Sequence, residues 1–231
     1  MLLLTIDTSG KDGGLGLAQV AEENSDISLV DTVPLAGGTF SAQLVPQISA
    51  LLAKHGHKKS DLSAFAAVSG PGSFTGLRVG LAAIKALAEV LQKPIAAVSL
   101  LEAVACLTQI RGRVRAILDA GRGEIYAGDY ELTDELPRMH SERLLTREEF
   151  QSEVRGEGKM LVHGTATPDA ALAEFLRCAG VPCVHVAYPG SNVIARLGWR
   201  HIQLGRIVRP EDLEANYIRR SDAEIFSQPR H

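Results

Sequence analysis

The same order of elements can be read twice along the 231 residues. Leu2 to Asp7 is a short apolar run ending in Asp-Thr-Ser-Gly, the pattern of a buried strand running into a turn. Gly13 to Val20 and Ile27 to Pro34 follow as two more strands, joined by turns with Gly, Asp and Asn, so the three make an antiparallel meander. Then the period changes. Leu44, Ile48, Leu51 and Leu52 share one face of a helix over Ser41 to His55, with Pro46 placed for a first turn. Ala64 to Ser69 is a strand, Thr75 to Leu91 a helix, Ile95 to Val98 a strand and Leu100 to Gln109 a helix. After Arg111-Gly112-Arg113 the order restarts. Val114 to Leu118 is a strand ending in Asp119, and Gly123 to Tyr130 with Arg138 to Leu145 completes a second meander. Thr146 to Val154 is helical, with Thr146 and Glu149 at capping-box spacing. Met160 to His163, Pro168 to Cys178, Val184 to Val186 and Asn192 to Gly205 supply strand, helix, strand and helix.

Two βββαβαβα units in tandem imply an α/β chain with the duplicated ribonuclease-H-like fold of the actin-like ATPases (the ASKHA architecture of actin, Hsp70 and sugar kinases). Subdomains are expected over 1–110 and 111–231, with helix 192–205 able to pack back on the first. Asp7 and Asp119 hold equivalent places, each at the end of the first strand of its half. In that architecture a strand-end acid and the hydroxyl-bearing turn after it face a nucleotide cleft. Asp7, Thr8, Ser9, Gly70, Gly72, Ser73 and Gly76 are therefore the candidate, vestigial cofactor-binding residues. The alternative is that the acids cap turns by accepting backbone N–H bonds.

The charge balance removes several classes. With 24 Lys+Arg against 27 Asp+Glu the chain is slightly acidic, unlike a stand-alone nucleic-acid binder. The longest apolar stretch, Pro94 to Leu107, is interrupted by Ser99 and Glu102 and is too short for a bilayer span. The N-terminus has no positive leader region. Cys106, Cys178 and Cys183 are an odd set without framework spacing, as in a reducing cytoplasm, and no membrane association is expected. Cys178, Cys183 and His185 could be metal ligands, but packed thiols fit such spacing better. No metal site is expected. His55 and His57 with Lys58 and Lys59 suit a solvated helix end. Arg111, Arg113, Arg115 and Arg122 could meet RNA or form a solvated basic face.

The strongest local signal is the run from Gly70 to Gly80, Gly-Pro-Gly-Ser-Phe-Thr-Gly-Leu-Arg-Val-Gly, between a strand and a helix. Pro71 should hold Gly70 extended, and Ser73 or Thr75 can cap the helix. It is neither a P-loop nor Gly-x-Gly-x-x-Gly. Ser73 lacks the nucleophile-elbow pattern of a hydrolase. As a whole the string closely resembles the signature of the TsaB (YeaZ, "glycoprotease-like") family of tRNA threonylcarbamoyladenosine biosynthesis. Ile6 to Ser9, Asp119 to Ala127, and Asn216 to Arg220 followed by Asp222-Ala223-Glu224 resemble further segments of that family, in the right order.

The resemblance implies a non-catalytic scaffold that activates a TsaD-like subunit, with a TsaE-like ATPase, in modifying ANN-decoding tRNAs. It implies no cofactor on the chain itself, ATP and Mg²⁺ at most at the level of the complex, tRNA met through the complex, and a homodimer in isolation. TsaD holds a metal through a His-x-x-x-His pair; the matching positions here are Leu100 and Val104. Many relatives carry a His where this chain has Phe40. The expected partner interface lies on helices 41–55 and 75–91, at Leu44, Ile48, Leu77, Arg78, Leu81, Ile84, Lys85 and Ala88. The competing reading is an autonomous actin-like ATPase or small-molecule kinase that uses Asp7 and Asp119.

Overall fold

The computed structural model describes residues 1–21, 27–134, 136–157, 161–166 and 170–218. Met160, Pro168, Arg219, Arg220, Asp222, Ala223 and Glu224, named above, lie outside them. The first repeat is β1 (Leu2–Asp7), β2 (Gly13–Val20), β3 (Ile27–Leu35), α1 (Phe40–Lys54), β4 (Leu62–Gly70), α2 (Phe74–Leu91), β5 (Ile95–Ser99) and α3 (Leu100–Leu107). The second is β6 (Gly112–Gly121), β7 (Glu124–Leu132), β8 (Arg138–Thr146), α4 (Arg147–Glu157), β9 (Val162–Thr165), α5 (Ala170–Cys178), β10 (Cys183–His185) and α6 (Ser191–Gln203).

The sheets repeat one topology. The first runs β3-β2-β1-β4-β5, and the second, read from its β8 edge, runs β8-β7-β6-β9-β10. In each, the three meander strands pair antiparallel and the two later strands add in parallel. This is the duplicated α/β actin-like, ribonuclease-H-like fold. Local signals place the element ends. Thr146 Oγ1 accepts from Glu149 N at 3.1 Å while the Glu149 carboxylate accepts from Thr146 N at 2.8 Å, so α4 opens with its capping box closed. Pro46 falls in the second turn of α1, not its first, and on the exposed side.

The chain divides into two compact units, one of Met1–Ser99 with Gly190–Asn216, the other built mainly of Leu100–Pro189. Sequence repeat and compact unit are different divisions, because the last helix of each repeat lies in the other unit. The first unit therefore ends at Ser99 rather than near residue 110, and it takes in α6. α3 packs on β6, β7 and β9. Its residues Leu100 to Ala105 are all buried, as a helix apolar on every side must be. Gly164 gives α3 room, since a Cβ there would stand 2.4 Å from Thr108 Cγ2.

In the first unit, strand alternation sends two sets of side chains to opposite faces of the sheet. Leu4, Ile6, Leu15, Leu17, Phe65 and Ala67 meet Leu44, Ile48, Leu81, Ile84 and Ala88 of α1 and α2 in one core. Each such aliphatic side chain contributes about 1.5–3 kcal/mol by leaving water. α6 crosses the other face, packing on all five strands. There a Cβ on Gly198 would be 2.3 Å from the Ala66 Cβ, so only glycine lets the helix lie that close. The chain beyond α6 returns to this sheet: Val208 N donates to Ile95 O at 2.8 Å, and Asn216 N donates to Ser69 O at 2.7 Å. The second core joins Ile117, Ile125, Ala127 and Leu145 to Phe150 and Val154 of α4 and Leu172 and Leu176 of α5. Among the described residues, no helix is long and apolar enough to cross a membrane.

Candidate functional site

The turn after β1 lies directly against the glycine loop. Asp7 Oδ1 accepts from Ser9 N at 2.8 Å and from Ser9 Oγ at 2.6 Å, which folds the turn on its own acid. The equivalent Asp119 Oδ1 accepts from Gly121 N at 2.9 Å. Both strand-end acids therefore hold the second residue after them, the turn-capping alternative weighed above. Ser73 N donates to Ser9 O at 2.7 Å, and Thr8 Oγ1 donates to Gly76 O at 2.8 Å. A Cβ on Gly72 would meet Ser9 O at 2.4 Å; on Gly76, Thr8 O at 2.1 Å; on Gly80, Thr8 Oγ1 at 2.2 Å. The glycines are there so that β1's own turn can seat on the start of α2. Ser73 caps that helix, its Oγ accepting from Gly76 N at 3.3 Å. Two amides that could face an anion, Ser73 N and Gly76 N, are thus engaged within the chain. These contacts account for the loop without a phosphate. Gly70 is not extended in the manner of an L-residue: its φ is +131°, and the Gly70–Pro71 bond is cis.

The expected interface residues are mostly core. Leu44, Ile48, Leu77, Leu81, Ile84 and Ala88 are all buried in the first unit, Leu77 and Ile84 completely, so they cannot meet a partner. The i, i+3/i+4 stripe that singled them out is the stripe that faces the sheet. Arg78 is exposed, its guanidinium 3.6 Å from the centroid of the Phe74 ring, and Lys85 is half-buried. The surface of the two adjacent helices is built from other residues: Ala42, Val45 and Pro46 on α1, and Ala82, Ala86 and Val90 on α2, all exposed. Val90 is 80% exposed and Val45 58%, high values for β-branched apolar side chains. Phe40 is buried at the start of α1, in the same core.

The remaining candidates resolve as structure. Leu100 and Val104 are buried apolar residues of α3. Among the described residues, no group of three or more His, Cys, Asp or Glu is placed to hold a metal. Cys178 is not a packed thiol; it is exposed, and its Sγ donates to Glu174 Oε1 at 3.2 Å. Cys106 is held inert, since burial and the nearby Glu102 carboxylate push its thiol up to about 12. Lys54 and His55 at the end of α1 are both bonded to Asp31 of β3, at 2.7 and 2.8 Å, rather than simply solvated.

Arg115 does not join Arg111, Arg113 and Arg122 on the surface. It is 2% exposed and forks onto Asp129, Nε to Oδ1 at 2.6 Å and Nη2 to Oδ2 at 3.0 Å. Arg143 bonds the same carboxylate at 3.2 Å and Glu153 at 2.7 Å. Burial would raise the Asp129 carboxyl, but the Arg115 fork, Ser141 and Arg143 hold it below its ordinary range. Behind this network His163 is buried, Nδ1 3.2 Å from Leu161 O and its ring edge-on to Phe150. Sequence reasoning missed the cluster, although the pairing of Arg115 with Asp129 across the β6–β7 hairpin carries its signal.

Comparison with known proteins places this geometry. A family model for TsaD, tRNA N6-adenosine threonylcarbamoyltransferase, matches residues 34–149. The tRNA threonylcarbamoyladenosine biosynthesis protein TsaB of Bacillus subtilis (strain 168) is 36% identical over 132 residues, 57% of this chain and 56% of that protein. TsaB of Escherichia coli (strain K12) is 30% identical over 150 residues, 62% of this chain and 60% of that protein. The matched region thus spans little more than half the length of these curated relatives. The solved structure of YeaZ from Pseudomonas aeruginosa superposes with a TM-score of 0.67 at 24% identity, covering 93% of this chain and 99% of that one. The family model over residues 34–149, the TsaB relatives, a glycine loop between β4 and α2, and a sheet topology used twice all point the same way, and the chain belongs to the TsaB (YeaZ) family.

Proposed function

We propose that this protein is a non-catalytic subunit in the biosynthesis of threonylcarbamoyladenosine in tRNA. It docks a TsaD-like subunit on the outer faces of α1 and α2 and shifts that subunit toward its transfer-competent state. A TsaE-like ATPase completes the assembly, and any ATP and Mg²⁺ act at the level of the complex. In isolation the same face pairs two copies of the chain, in the isologous manner of symmetric dimers.

The observation that carries this reading is the two-helix surface. Val45, Pro46, Ala82, Ala86 and Val90 expose small and apolar side chains on adjacent helices, without disturbing the core stripe beneath. Small residues let two such helix pairs approach closely. The inward-turned β1 turn and the apolar residues at Leu100 and Val104 agree with a chain that does no chemistry of its own. Depletion of the protein should remove threonylcarbamoyladenosine from tRNA. Ala86→Arg and Val90→Arg should abolish co-purification with the TsaD-like subunit while leaving the melting temperature unchanged, because both positions are exposed. An intact complex in both variants would refute the interface.

A further inference from the structure

α6 and the segment after it carry three arginines with which no acid among the described residues is paired. Ser191 to Pro210 contains Arg196, Arg200, Arg206 and Arg209 and no acidic residue. Arg209 is engaged by Asp212 and Glu211. Arg196, Arg200 and Arg206 are exposed, and none forms an ion pair or side-chain hydrogen bond among the described residues. Other exposed arginines differ among themselves: Arg111 is paired with Asp134 and Arg177 with Glu174, whereas Arg113 and Arg138 form no ion pair among the described residues. The helix dipole accounts for Arg200 in the last turn but not for Arg196 in the middle. Arg196 and Arg200 stand four residues apart, one turn on the same face, where like charges destabilise a helix. In a chain of net charge -3, an external anion would relieve that repulsion.

The sheet separates this face from the protein-docking surface. α1 and α2 pack through Phe65 and Ala67, whereas α6 packs on Ala66 between them. Both surfaces can therefore be occupied at once. Arg196 also borders a recess of about 390 Å³ between β3 and the first turns of α6, with Ser28 and Asn192 in its wall. Ser28, Asn192 and Arg196 offer a phosphate polar contacts there, beside the apolar Ile27, Leu29 and Ala195.

We propose that Arg196, Arg200 and Arg206 form a docking surface for the phosphate backbone of the substrate tRNA, while α1 and α2 hold the protein partner; this rests on the function proposed above. Three cations are too few for tight binding by the isolated chain, and they add their contribution within the assembly. In the complex, the variant Arg196→Ala/Arg200→Ala/Arg206→Ala should bind an unmodified tRNA transcript roughly tenfold more weakly at low salt, and its log–log salt slope should fall by about 2 to 3. Co-purification with the TsaD-like subunit should be unchanged. Trp199, the single tryptophan of the chain, lies between two of these arginines on α6. Its fluorescence in the isolated chain should respond to the transcript and not respond in the variant.

Unchanged affinity and slope would overturn the proposal. So would an equal loss in a Lys58→Ala/Lys59→Ala control, which would reduce the effect to net charge. Loss of the protein complex with tRNA binding intact would assign the face to an acidic protein instead. Failure of the wild-type chain to co-purify with a TsaD-like subunit would sink the underlying reading, and the Trp199 titration on the chain alone tells that failure from failure of the arginine face.

Discussion

Acidification should strike the second unit through His163. The ring is 1% exposed, and burial, with the Arg115 charge as second cause, holds it to about 4 against 6.5 for an ordinary imidazole. Nδ1 faces Leu161 O and Nε2 has no hydrogen-bond partner among the described residues, so the neutral tautomer with its proton on Nδ1 is the one the site accepts. Between pH 6.5 and 4 the unfolded chain binds more protons than the folded one, so the contribution of His163 is complete above 6.5 and is lost as the pH falls through that window. The full loss is about 3 kcal/mol, of which about 2 kcal/mol falls between pH 7 and pH 5. Asp129 of the same network is held below the ordinary carboxylate range.

The perturbation that isolates the effect is His163→Phe. It keeps a planar ring beside Phe150 and gives up one hydrogen bond, worth about 1 kcal/mol. Urea unfolding followed by far-ultraviolet circular dichroism at pH 7 and pH 5 gives the four stabilities. The wild type should lose about 2 kcal/mol more than the variant on going to pH 5. An equal loss in both proteins would refute the argument, because the acid sensitivity would then reside in other groups.

Three further outcomes follow from the packing. Asp129→Asn should cost about 3 kcal/mol in urea unfolding by removing the carboxylate that Arg115 forks onto and leaving it Glu153 at 3.2 Å, whereas Arg115→Met/Asp129→Leu should cost much less. Gly76→Ala should destabilise by about 1–3 kcal/mol through its clash with Thr8 O, while Gly156→Ala, with open space around its Cβ in α4, should stabilise by up to about 1 kcal/mol, both read from melting temperature. Residues 1–99 expressed alone should show no cooperative melt, since the α6 face of their sheet is bare; joining them to 190–216 through a flexible linker should restore one.

Most of the element order was legible because each element declares itself locally. The β1 and β2 ranges coincide with the observed strands, and the capping-box spacing at Thr146 marks the start of α4. What periodicity cannot supply is the partner of an apolar surface. Residues Leu100 to Ala105 are buried on every side, which fixes that α3 is enclosed but not which sheet encloses it. The same limit produced the error at α2: a regular apolar stripe identifies what a helix buries at home, and the outward face is marked only by small residues and by Val90. Arg115 was misjudged for another reason. β6 is a central strand covered on both faces, so a polar residue in its middle must be buried and paired. Its partner was one position out of reach of simple counting. Arg122 and Gly123 both have positive φ, 56° and 78°, as a two-residue hairpin turn requires, but counting from that turn alone sets Tyr130 opposite Arg115; the register shift between Asp119 and Gly121 brings in Asp129 instead.

The strand-end turn and the glycine loop of the first unit are closed by bonds within the chain. Asp7 folds its own turn, Ser73 caps α2, the loop glycines receive Thr8 and Ser9, and Leu100 and Val104 fill a core. Hydrogen bonds and packing already satisfied within the fold have little left to give a ligand, because any ligand must first displace them. Interaction capacity left unspent is found instead on the outer faces of α1 and α2, as exposed small and apolar side chains, and on α6, as arginines with no ion pair among the described residues. These two surfaces differ in kind, one suited to close helix packing and the other to phosphate, and they lie on opposite sides of a single rigid sheet. A sheet with that arrangement has a physical use without catalysis: it holds a protein and a nucleic acid at a fixed separation. In the proposed reading, that fixed separation is what the subunit contributes.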